Sequence, residues 1–213
     1  LMFGIPGQTL KDWERTLREV IALAPEHLSC YQLTVVDSTP LGRQVREGRV
    51  TAEEEDALRA MFVHTSKLLR DHGYDHYEVS NHALDTGNRS RHNSRYWDHT
   101  PYLGIGPSAH SFDGNSRWWN PSSTGEWAGR LKRGKDPREG AELLTEGQIR
   151  MEELYFGFRT SAGLSLDTVR YFDGGEDILS DLAGQGYVKI RGERALPTLE
   201  GYLFSDRLPS MFF

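Results

Sequence analysis

Residues 1–36 read LMFGIPGQTLKDWERTLREVIALAPEHLSCYQLTVV, and this stretch decides the fold class. Residues 1–3 are apolar and strand-like, and they run directly into a turn rich in glycine and proline. Thr9, with Asp12 three residues later, is typical of a helix N-cap, and the apolar residues that follow recur at helical spacing. Residues 27–36 are rich in aromatic and β-branched side chains and predict a buried strand. The resulting strand–helix–strand unit predicts a parallel α/β layer.

The same alternation continues along the first part of the chain. We predict a short helix over residues 41–46. The spacing of Thr51 and Glu54 predicts a capping box at the start of a second long helix, which is expected to end near Gly73. Residues 74–80 alternate enough to predict another strand.

The character of the sequence changes after residue 118, where a linker with proline and serine is followed by a charged run. We therefore predict two parts, an α/β part over residues 1–140 and a small C-terminal domain over residues 141–213. Helices with a two-stranded wing would make the second part a winged-helix-like α+β domain. The predicted helices cover residues 145–159, 166–172, 178–185 and 198–208, and the predicted hairpin joins residues 187–190 to 194–197.

Composition limits the classes of function. The 213 residues carry 25 Lys and Arg against 31 Asp and Glu, a net charge of −6, and the cations are interspersed with acids, so no nucleic-acid partner is expected. The single cysteine, Cys30, excludes an intrachain disulfide and any multi-thiolate metal site built from this chain alone. No apolar run approaches eighteen residues, so no integral membrane segment is expected. These features predict a soluble, cytoplasmic protein.

Residues 90–112 read SRHNSRYWDHTPYLGIGPSAHSF and form the candidate site. The segment concentrates imidazole, guanidinium and aromatic groups, and it shows no helical or alternating apolar period. Core packing alone does not explain such a composition. Because ligands of parallel sheets lie on the loops that follow the strands, residues 4–9, 34–39 and 81–112 are expected to border the same rim.

Two ligand-binding interpretations of this segment each have a structural alternative. His92 beside Asn93, Tyr96 and Trp97 offers an imidazole ligand and flat aromatic faces, which an iron porphyrin requires. Guanidinium groups at positions 91 and 95 could pair with propionates. The alternative is a loop whose aromatic residues only anchor it. His110 follows glycines that permit close approach of a ligand, although a hydrogen-bonded structural histidine is equally compatible with the pattern.

The turn at residues 4–9 lies between a strand and a helix. Its backbone amides and the helix dipole could hold a carboxylate or a nucleotide fragment. The turn lacks the full spacing of known phosphate-binding loops, so a purely structural turn is the alternative.

Six blocks stand in order along the chain: GIPGQT at residues 4–9, YQLT at 31–34, TPL at 39–41, YEVSN at 77–81, SRHNSRYW at 90–97 and YLGIGPSAHS at 102–111. With the tail from about Glu142, they resemble the radical S-adenosylmethionine (SAM) heme chaperone family, often labelled oxygen-independent coproporphyrinogen III oxidase-like. The resemblance spans nearly the whole sequence.

The resemblance implies a fold and a set of cofactors. The fold would be the C-terminal part of a radical-SAM partial (β/α)6 barrel, entered at its fifth strand, followed by the small domain. The sequence would then be an N-terminally truncated fragment, because the family's three-cysteine motif for a [4Fe–4S] cluster and its glycine-rich SAM loop are not in it. The implied cofactors are SAM and the [4Fe–4S] cluster, both in the full-length protein, and heme.

The resemblance also implies site residues. Gly4, Pro6, Gln8, Thr34 and His110 would border the SAM pocket. The heme side carries the family's HNxxYW pattern, with His92 as the possible iron ligand; its residues are His92, Asn93, Tyr96 and Trp97.

Two functions follow from the resemblance. The first is a chaperone that binds heme and delivers it to an acceptor hemoprotein, and it is favoured because HNxxYW and YQLT resemble the chaperone branch. The alternative is an oxygen-independent coproporphyrinogen III oxidase, which decarboxylates the propionates of its porphyrinogen substrate through a 5′-deoxyadenosyl radical. Without the cysteine motif this chain alone is not expected to be catalytic.

Overall fold

The structure, a computed structural model, describes residues 1–213. In the first half, short strands alternate with helices: β1 (Met2–Phe3), α1 (Leu10–Ala22), β2 (His27–Ser29), β3 (Tyr31–Gln32), α2 (Pro40–Arg46), α3 (Glu55–Asp71), β4 (Asp75–Glu78), β5 (Asn81–Ala83) and α4 (Arg91–Trp97). The second half contains β6 (His110–Phe112), β7 (Ser116–Trp119), α5 (Thr124–Lys132), β8 (Gly140–Leu143), α6 (Glu146–Arg159), β9 (Leu164–Ser165), α7 (Leu166–Arg170), α8 (Gly175–Gly184), β10 (Val188–Arg191), β11 (Arg194–Pro197) and α9 (Leu199–Leu203).

Helix α1 begins where the sequence predicts. The Thr9 hydroxyl accepts a hydrogen bond from the Asp12 backbone N–H at 3.1 Å, and the Thr9 N–H donates to the Asp12 carboxylate at 3.3 Å. This reciprocal capping satisfies amides that a helix start leaves unpaired. The inward stripe buries Trp13 and Leu17, and the Trp13 indole N–H donates to Thr65 on α3 at 2.7 Å. Helices α1 and α3 are thereby joined through both packing and a buried hydrogen bond.

The predicted continuous strand over residues 27–36 is wrong, because the chain changes partner at Cys30. Strand β2 pairs antiparallel with β5, whereas β3 pairs parallel with β1. Between them the Cys30 N–H donates to the carbonyl of Ser80 at 2.8 Å. The expected parallel layer is therefore reduced to one parallel pair, and the other strand pairs are antiparallel.

The predicted capping box at Thr51 is also wrong. Helix α3 begins at Glu55, and its N-cap residue, Glu54, makes no side-chain capping bond. The neighbouring Glu53 carboxylate instead accepts the backbone N–H of Gly7 at 2.7 Å. Glu55 and Asp56 in the first turn complement the positive end of the helix dipole, so the helix start is stabilised by charge rather than by a cap.

Two clusters of buried apolar side chains hold the molecule together, and a three-stranded sheet, β6–β7–β8, lies between them in sequence. Strand β8 begins at Gly140, the end of the predicted α/β part, and pairs with β7 on that part. The first cluster consists of Phe3, Trp13, Leu17, Leu28, Cys30, Met61, Leu68, Leu69 and Tyr74. The second consists of Leu154, Phe158, Leu164, Val169, Leu179, Leu182, Val188, Ala195, Leu208 and Phe212.

The tail differs from the prediction in two places. The hairpin β10–β11 gains β9 as a third strand. The helix predicted over residues 198–208 ends at Leu203, and a separate 3-10 turn covers Leu208–Phe212. Both Leu208 and Phe212 are buried in the second cluster, so the chain breaks its helix to place them there.

A backbone seam joins the two halves of the chain. The Val79 N–H donates to the Arg159 carbonyl at 2.9 Å, and the Ser161 N–H donates to the Tyr77 carbonyl at 2.8 Å. Glu78 and Thr160 face each other between these bonds. This seam sets α6 beside α4. No helix combines the length and apolarity needed to cross a bilayer.

Candidate functional site

Residues 91–97 form helix α4, although the segment shows no helical apolar period. The Ser90 hydroxyl caps the helix by accepting the Asn93 N–H at 3.3 Å, and the Tyr77 hydroxyl accepts the Ser90 N–H at 3.0 Å. His27 Nε2 lies 2.8 Å from the same Tyr77 hydroxyl. Two turns of helix are too short to show an apolar period, which is why the sequence pattern missed it.

The outward face of α4 carries His92 and Tyr96. Residues four apart lie on one side of a helix, and here the two rings meet edge to face at 5.0 Å between centroids. The Tyr96 hydroxyl lies 3.2 Å from His92 Nε2. Arg91 and Arg95, one residue earlier in each turn, are exposed beside this pair. An exposed imidazole, an aromatic ring and two guanidinium groups therefore share one side of α4.

The inward face of α4 carries the other two motif residues, Asn93 and Trp97. Each side chain is rotated about 100° from its outward neighbour, as helix geometry requires. The Trp97 ring packs edge to face on Phe156 of α6 at 5.5 Å. The HNxxYW pattern is therefore split, with two residues facing out and two facing the protein.

A buried carboxylate, Glu78, lies beneath this inward face. It is 3% exposed, and its Oε1 accepts a hydrogen bond from Asn81 Nδ2 at 2.6 Å. Burial raises the pKa of Glu78, while the side chains of Trp97, Asn81 and Asn93 oppose part of that rise. Trp97 Nε1 lies near enough to lower the pKa of the Glu78 carboxylate, but it does not reach hydrogen-bond geometry. Trp97 Nε1 and Glu78 Oε2 are both buried without a hydrogen-bond partner.

Glu78 belongs to the YEVSN block at residues 77–81, and the sequence alone predicts no role for it. Strand alternation predicts that one of two consecutive residues faces solvent. Strand β4 has an irregularity between His76 and Glu78, and Tyr77 and Glu78 are both buried. The only sequence signal for the burial of Glu78 was its position next to an aromatic residue in a predicted strand.

Tyr96 also connects α4 to the second half of the candidate segment. Its ring meets that of Tyr102 at 4.6 Å, and the Tyr102 backbone pairs with that of Phe112. A Cβ atom on Gly104 would lie 2.0 Å from the His110 carbonyl oxygen. The glycine is therefore required by close approach of the chain to itself, which favours the structural alternative at that position.

A second unpredicted group ties the loop after α4 to α6. Glu152 accepts from Arg117 Nη2 at 2.7 Å, and its other oxygen lies 3.1 Å from His99 Nε2. The His99 ring packs edge to face on Phe156 at 4.9 Å. His99 has φ of 55°, a conformation that pattern reasoning does not reveal. The base of α4 is therefore fixed by polar contacts as well as by aromatic packing.

The residues expected at a SAM pocket are only partly brought together. Gly4 and Thr34 follow the parallel pair β1 and β3, so they lie at one sheet edge. Gln8 is turned inward, where its side-chain oxygen accepts the Gly4 N–H at 2.9 Å, and Pro6 lies in the same turn. His110 lies in the β6–β7–β8 sheet, with its ring 6.0 Å from Trp119. It makes no hydrogen bond or ring contact with the Gly4 turn.

A stacked pair of imidazoles is buried between β4 and β5. The rings of His76 and His82 lie 4.1 Å apart, and both nitrogens of His82, which is 2% exposed, lack a hydrogen-bond partner. His76 Nδ1 lies 2.9 Å from the Ser66 hydroxyl. Burial lowers the pKa of His76 to about 4 and that of His82 to about 2, the latter also through the neighbouring imidazoles. Both rings are neutral at neutral pH.

The donor set does not fit an iron–sulfur cluster. Cys30 is 3% exposed, and burial raises the pKa of its thiol to about 11, so it does not supply a thiolate. No three His, Cys, Asp or Glu side chains converge as metal ligands.

Comparison with known proteins first defines a class. The fold matches a solved structure titled "Coproporphyrinogen III oxidase (HemN) from Escherichia coli is a Radical SAM enzyme", with a TM-score of 0.77, 17% identity, and coverage of 100% of this chain and 53% of that one. The chain therefore has an α/β fold of the kind found in a radical-SAM enzyme. No family model matches it.

Sequence relatives narrow the class. The chain is 32% identical over 219 residues to heme chaperone HemW of Bacillus subtilis (strain 168), covering 100% of this chain and 57% of the relative. It is 31% identical over 208 residues to heme chaperone HemW of Mycobacterium tuberculosis (strain ATCC 25618 / H37Rv), covering 97% and 52%. A mouse relative, radical S-adenosyl methionine domain-containing protein 1, mitochondrial, is 42% identical over 110 residues, covering 52% and 25%.

The predicted resemblance is confirmed: over nearly all of its length this chain is similar in sequence to proteins named heme chaperone HemW. It spans about half the length of the curated relatives it matches.

Proposed function

We propose that this chain is the heme-binding part of a radical-SAM heme chaperone, which binds heme and delivers it to an acceptor hemoprotein. The observation that carries the proposal is the outward face of α4, where the exposed His92 lies against the half-buried ring of Tyr96. The names of the relatives that cover the chain point to the same cargo.

The outward face has the chemistry that heme requires. A histidine ligates a metal through one ring nitrogen while a hydrogen bond on the other fixes the ring. With the Tyr96 hydroxyl on His92 Nε2, the second ring nitrogen stays available for iron. The ring of Tyr96 adds an aromatic surface, and Arg91 and Arg95 suit bidentate pairing with propionates.

For Asn93 and Trp97 we propose a changed role. Both face the protein, where Trp97 packs on Phe156 and lies against Glu78. We infer that they hold α4 in place and thereby position His92, and that they do not touch heme. Their contribution to binding is then indirect, through the stability of the helix.

The other cofactors of the family differ in how they fit this chain. The [4Fe–4S] cluster does not fit this chain, whose one thiol is buried. The Gly4 and Thr34 edge is the part of this chain that we propose for SAM. The proposal keeps residues 1–140 as the C-terminal part of a partial (β/α)6 barrel and residues 141–213 as a small winged-helix-like domain. A reducing cytoplasm suits the free thiol of Cys30.

The second candidate is a coproporphyrinogen III oxidase of heme biosynthesis. The fold shared with the Escherichia coli radical-SAM enzyme favours it, although 17% identity supports the fold alone. The two candidates differ in cargo. Heme carries iron that needs an axial ligand, whereas a porphyrinogen carries none. Binding that depends on the imidazole of His92 therefore separates them.

The test is titration of the chain with heme, followed by the Soret band. We expect binding with a shifted Soret band, and we expect His92→Ala to weaken it about tenfold or more, because the iron loses its ligand. His72→Ala is the matched control, since His72 is also exposed but lies at the C-cap of α3, away from α4. Unchanged uptake by His92→Ala would contradict the proposal. Coproporphyrinogen III bound more tightly than heme, with equal affinity in His92→Ala, would favour the oxidase.

A further inference from the structure

A cavity of about 700 Å³ lies between the two halves of the chain and is lined by no residue of α4. One wall is the end of α3 and the start of β4. The opposite wall is the hairpin β10–β11 with the start of α9. The lining residues are Ser66, Arg70, Gly73, Tyr74, Asp75, His76, Ser161, Lys189, Arg191, Leu196, Pro197, Thr198, Leu199 and Tyr202.

Three cations converge on this cavity. Lys189 and Arg191 are two residues apart on β10, so strand geometry turns both toward the same side. Arg70 faces them from the last turn of α3. None of the three forms a salt bridge with a carboxylate. Their charge is therefore not neutralised by the protein.

The one acidic residue of the lining does not compensate them. The Asp75 carboxylate is already paired with Arg89 at 2.5 Å. His76 is neutral, since burial lowers its pKa to about 4. The local excess of positive charge stands in a chain whose net charge is −6. A concave surface of one sign concentrates counter-ions of the opposite sign.

The rest of the lining suits an anion of moderate size. Guanidinium groups bind phosphate and carboxylate through paired N–H donors, and an ammonium adds a point charge. Ser161 adds a hydroxyl, whereas the hydroxyls of Ser66 and Thr198 are engaged within the protein. Tyr74 and Tyr202 provide aromatic surface. The arrangement offers separate cations on opposite walls rather than one cluster.

We propose that this cavity binds a small polyanion with at least two phosphate or carboxylate groups, held between Arg70 on one wall and Lys189 and Arg191 on the other. Such a ligand would bridge the two halves of the chain. The site is independent of α4, so it stands whether or not α4 binds heme.

The test is calorimetric titration of the 213-residue chain with pyrophosphate and, separately, with citrate, against sodium chloride of equal ionic strength. We expect binding of at least one polyanion, weakened by added salt. The double variant Lys189→Met/Arg191→Met should weaken it roughly tenfold or more, because charged hydrogen bonds are lost. Both side chains are exposed, so the variant should keep its fold.

The matched control is Lys132→Met/Lys135→Met, which removes the same charge from exposed positions outside the cavity. Binding of pyrophosphate alone would identify a phosphate site, and binding of citrate alone a carboxylate site. Binding of neither beyond the chloride reference would overturn the proposal. Equal weakening by the control variant, or none by Lys189→Met/Arg191→Met, would overturn it as well. The single variant Arg70→Met checks the opposite wall, and unchanged binding there would remove the bridging geometry.

Discussion

The stacked imidazoles of His76 and His82 should make the fold acid-sensitive, and His82→Phe should remove half of that sensitivity. Both pKa values are lowered, to about 4 and about 2, from an ordinary value of 6.5. Below pH 6.5 these two imidazoles therefore bind protons in the unfolded chain that they do not bind in the folded chain. Stability from these groups is complete above the ordinary pKa and is lost as pH falls toward the folded values.

The size of the effect follows from the pKa values. Each ring lowers the free energy of unfolding by about 1.4 kcal/mol for every pH unit below 6.5. Between about pH 7.5 and pH 4.5 the loss is about 5 kcal/mol for the pair. Small domains are commonly stable by about 5–15 kcal/mol, so the loss is large enough to approach unfolding. Glu78 acts in the opposite direction, because its raised pKa adds stability as pH falls. That contribution is common to the protein and the variant, so it cancels in their difference.

The measurement is urea unfolding of the chain and of His82→Phe at several pH values. Phenylalanine keeps the stacked ring and removes two buried nitrogens that have no partner. Relief of their desolvation roughly offsets the extra volume, so we expect a change within about 1 kcal/mol at neutral pH. At about pH 4.5 the variant should be more stable by about 2–3 kcal/mol. Parallel pH profiles for the two proteins would refute the reasoning.

Two further predictions concern the turn and the helix of the candidate site. Gly4 and Gly7 have similar positive φ, but a Cβ on Gly4 would lie 2.4 Å from Leu58 Cδ2 and one on Gly7 meets nothing. Urea unfolding should show a loss of about 1 kcal/mol for Gly7→Ala and about 2 kcal/mol for Gly4→Ala, because only the end of the Leu58 side chain must shift. Equal losses would show that packing does not require Gly4. Trp97→Ala should cost about 2 kcal/mol and weaken heme uptake, and Trp97→Phe should restore both by keeping a ring on Phe156. Weaker uptake at unchanged stability would mean that Trp97 touches heme directly.

The parts of the fold that sequence could predict are those set by local chemistry. Thr9 with Asp12 fixed the start of α1, and helical spacing identified the inward side of that helix. The partner change at Cys30 was not predictable, because it depends on Ser80, fifty residues away. The same limit applied to Thr51, because α3 begins only at Glu55 and the nearby Glu53 makes a tertiary contact with Gly7.

The candidate site shows the same division. The residues of SRHNSRYW were identified from their types, and their family resemblance is confirmed. Which of them face solvent depends on α4 and on its contact with Phe156, and neither leaves a pattern in seven residues. Glu78 was missed because an irregular strand buries two consecutive side chains. The specific roles of His92, Thr34 and His110 stay predictions.

The seam between β4 and the end of α6 has a consequence for the order of folding. Its hydrogen bonds join Val79 to Arg159 and Tyr77 to Ser161, so each closes a loop of about eighty residues. Closing a long loop costs chain entropy before any contact compensates it, so distant pairings form late and slow the overall rate. Each half has a buried cluster of its own and can collapse first. The amides of Val79 and Ser161 would then gain protection from hydrogen exchange after those of the helices, as the halves lock together.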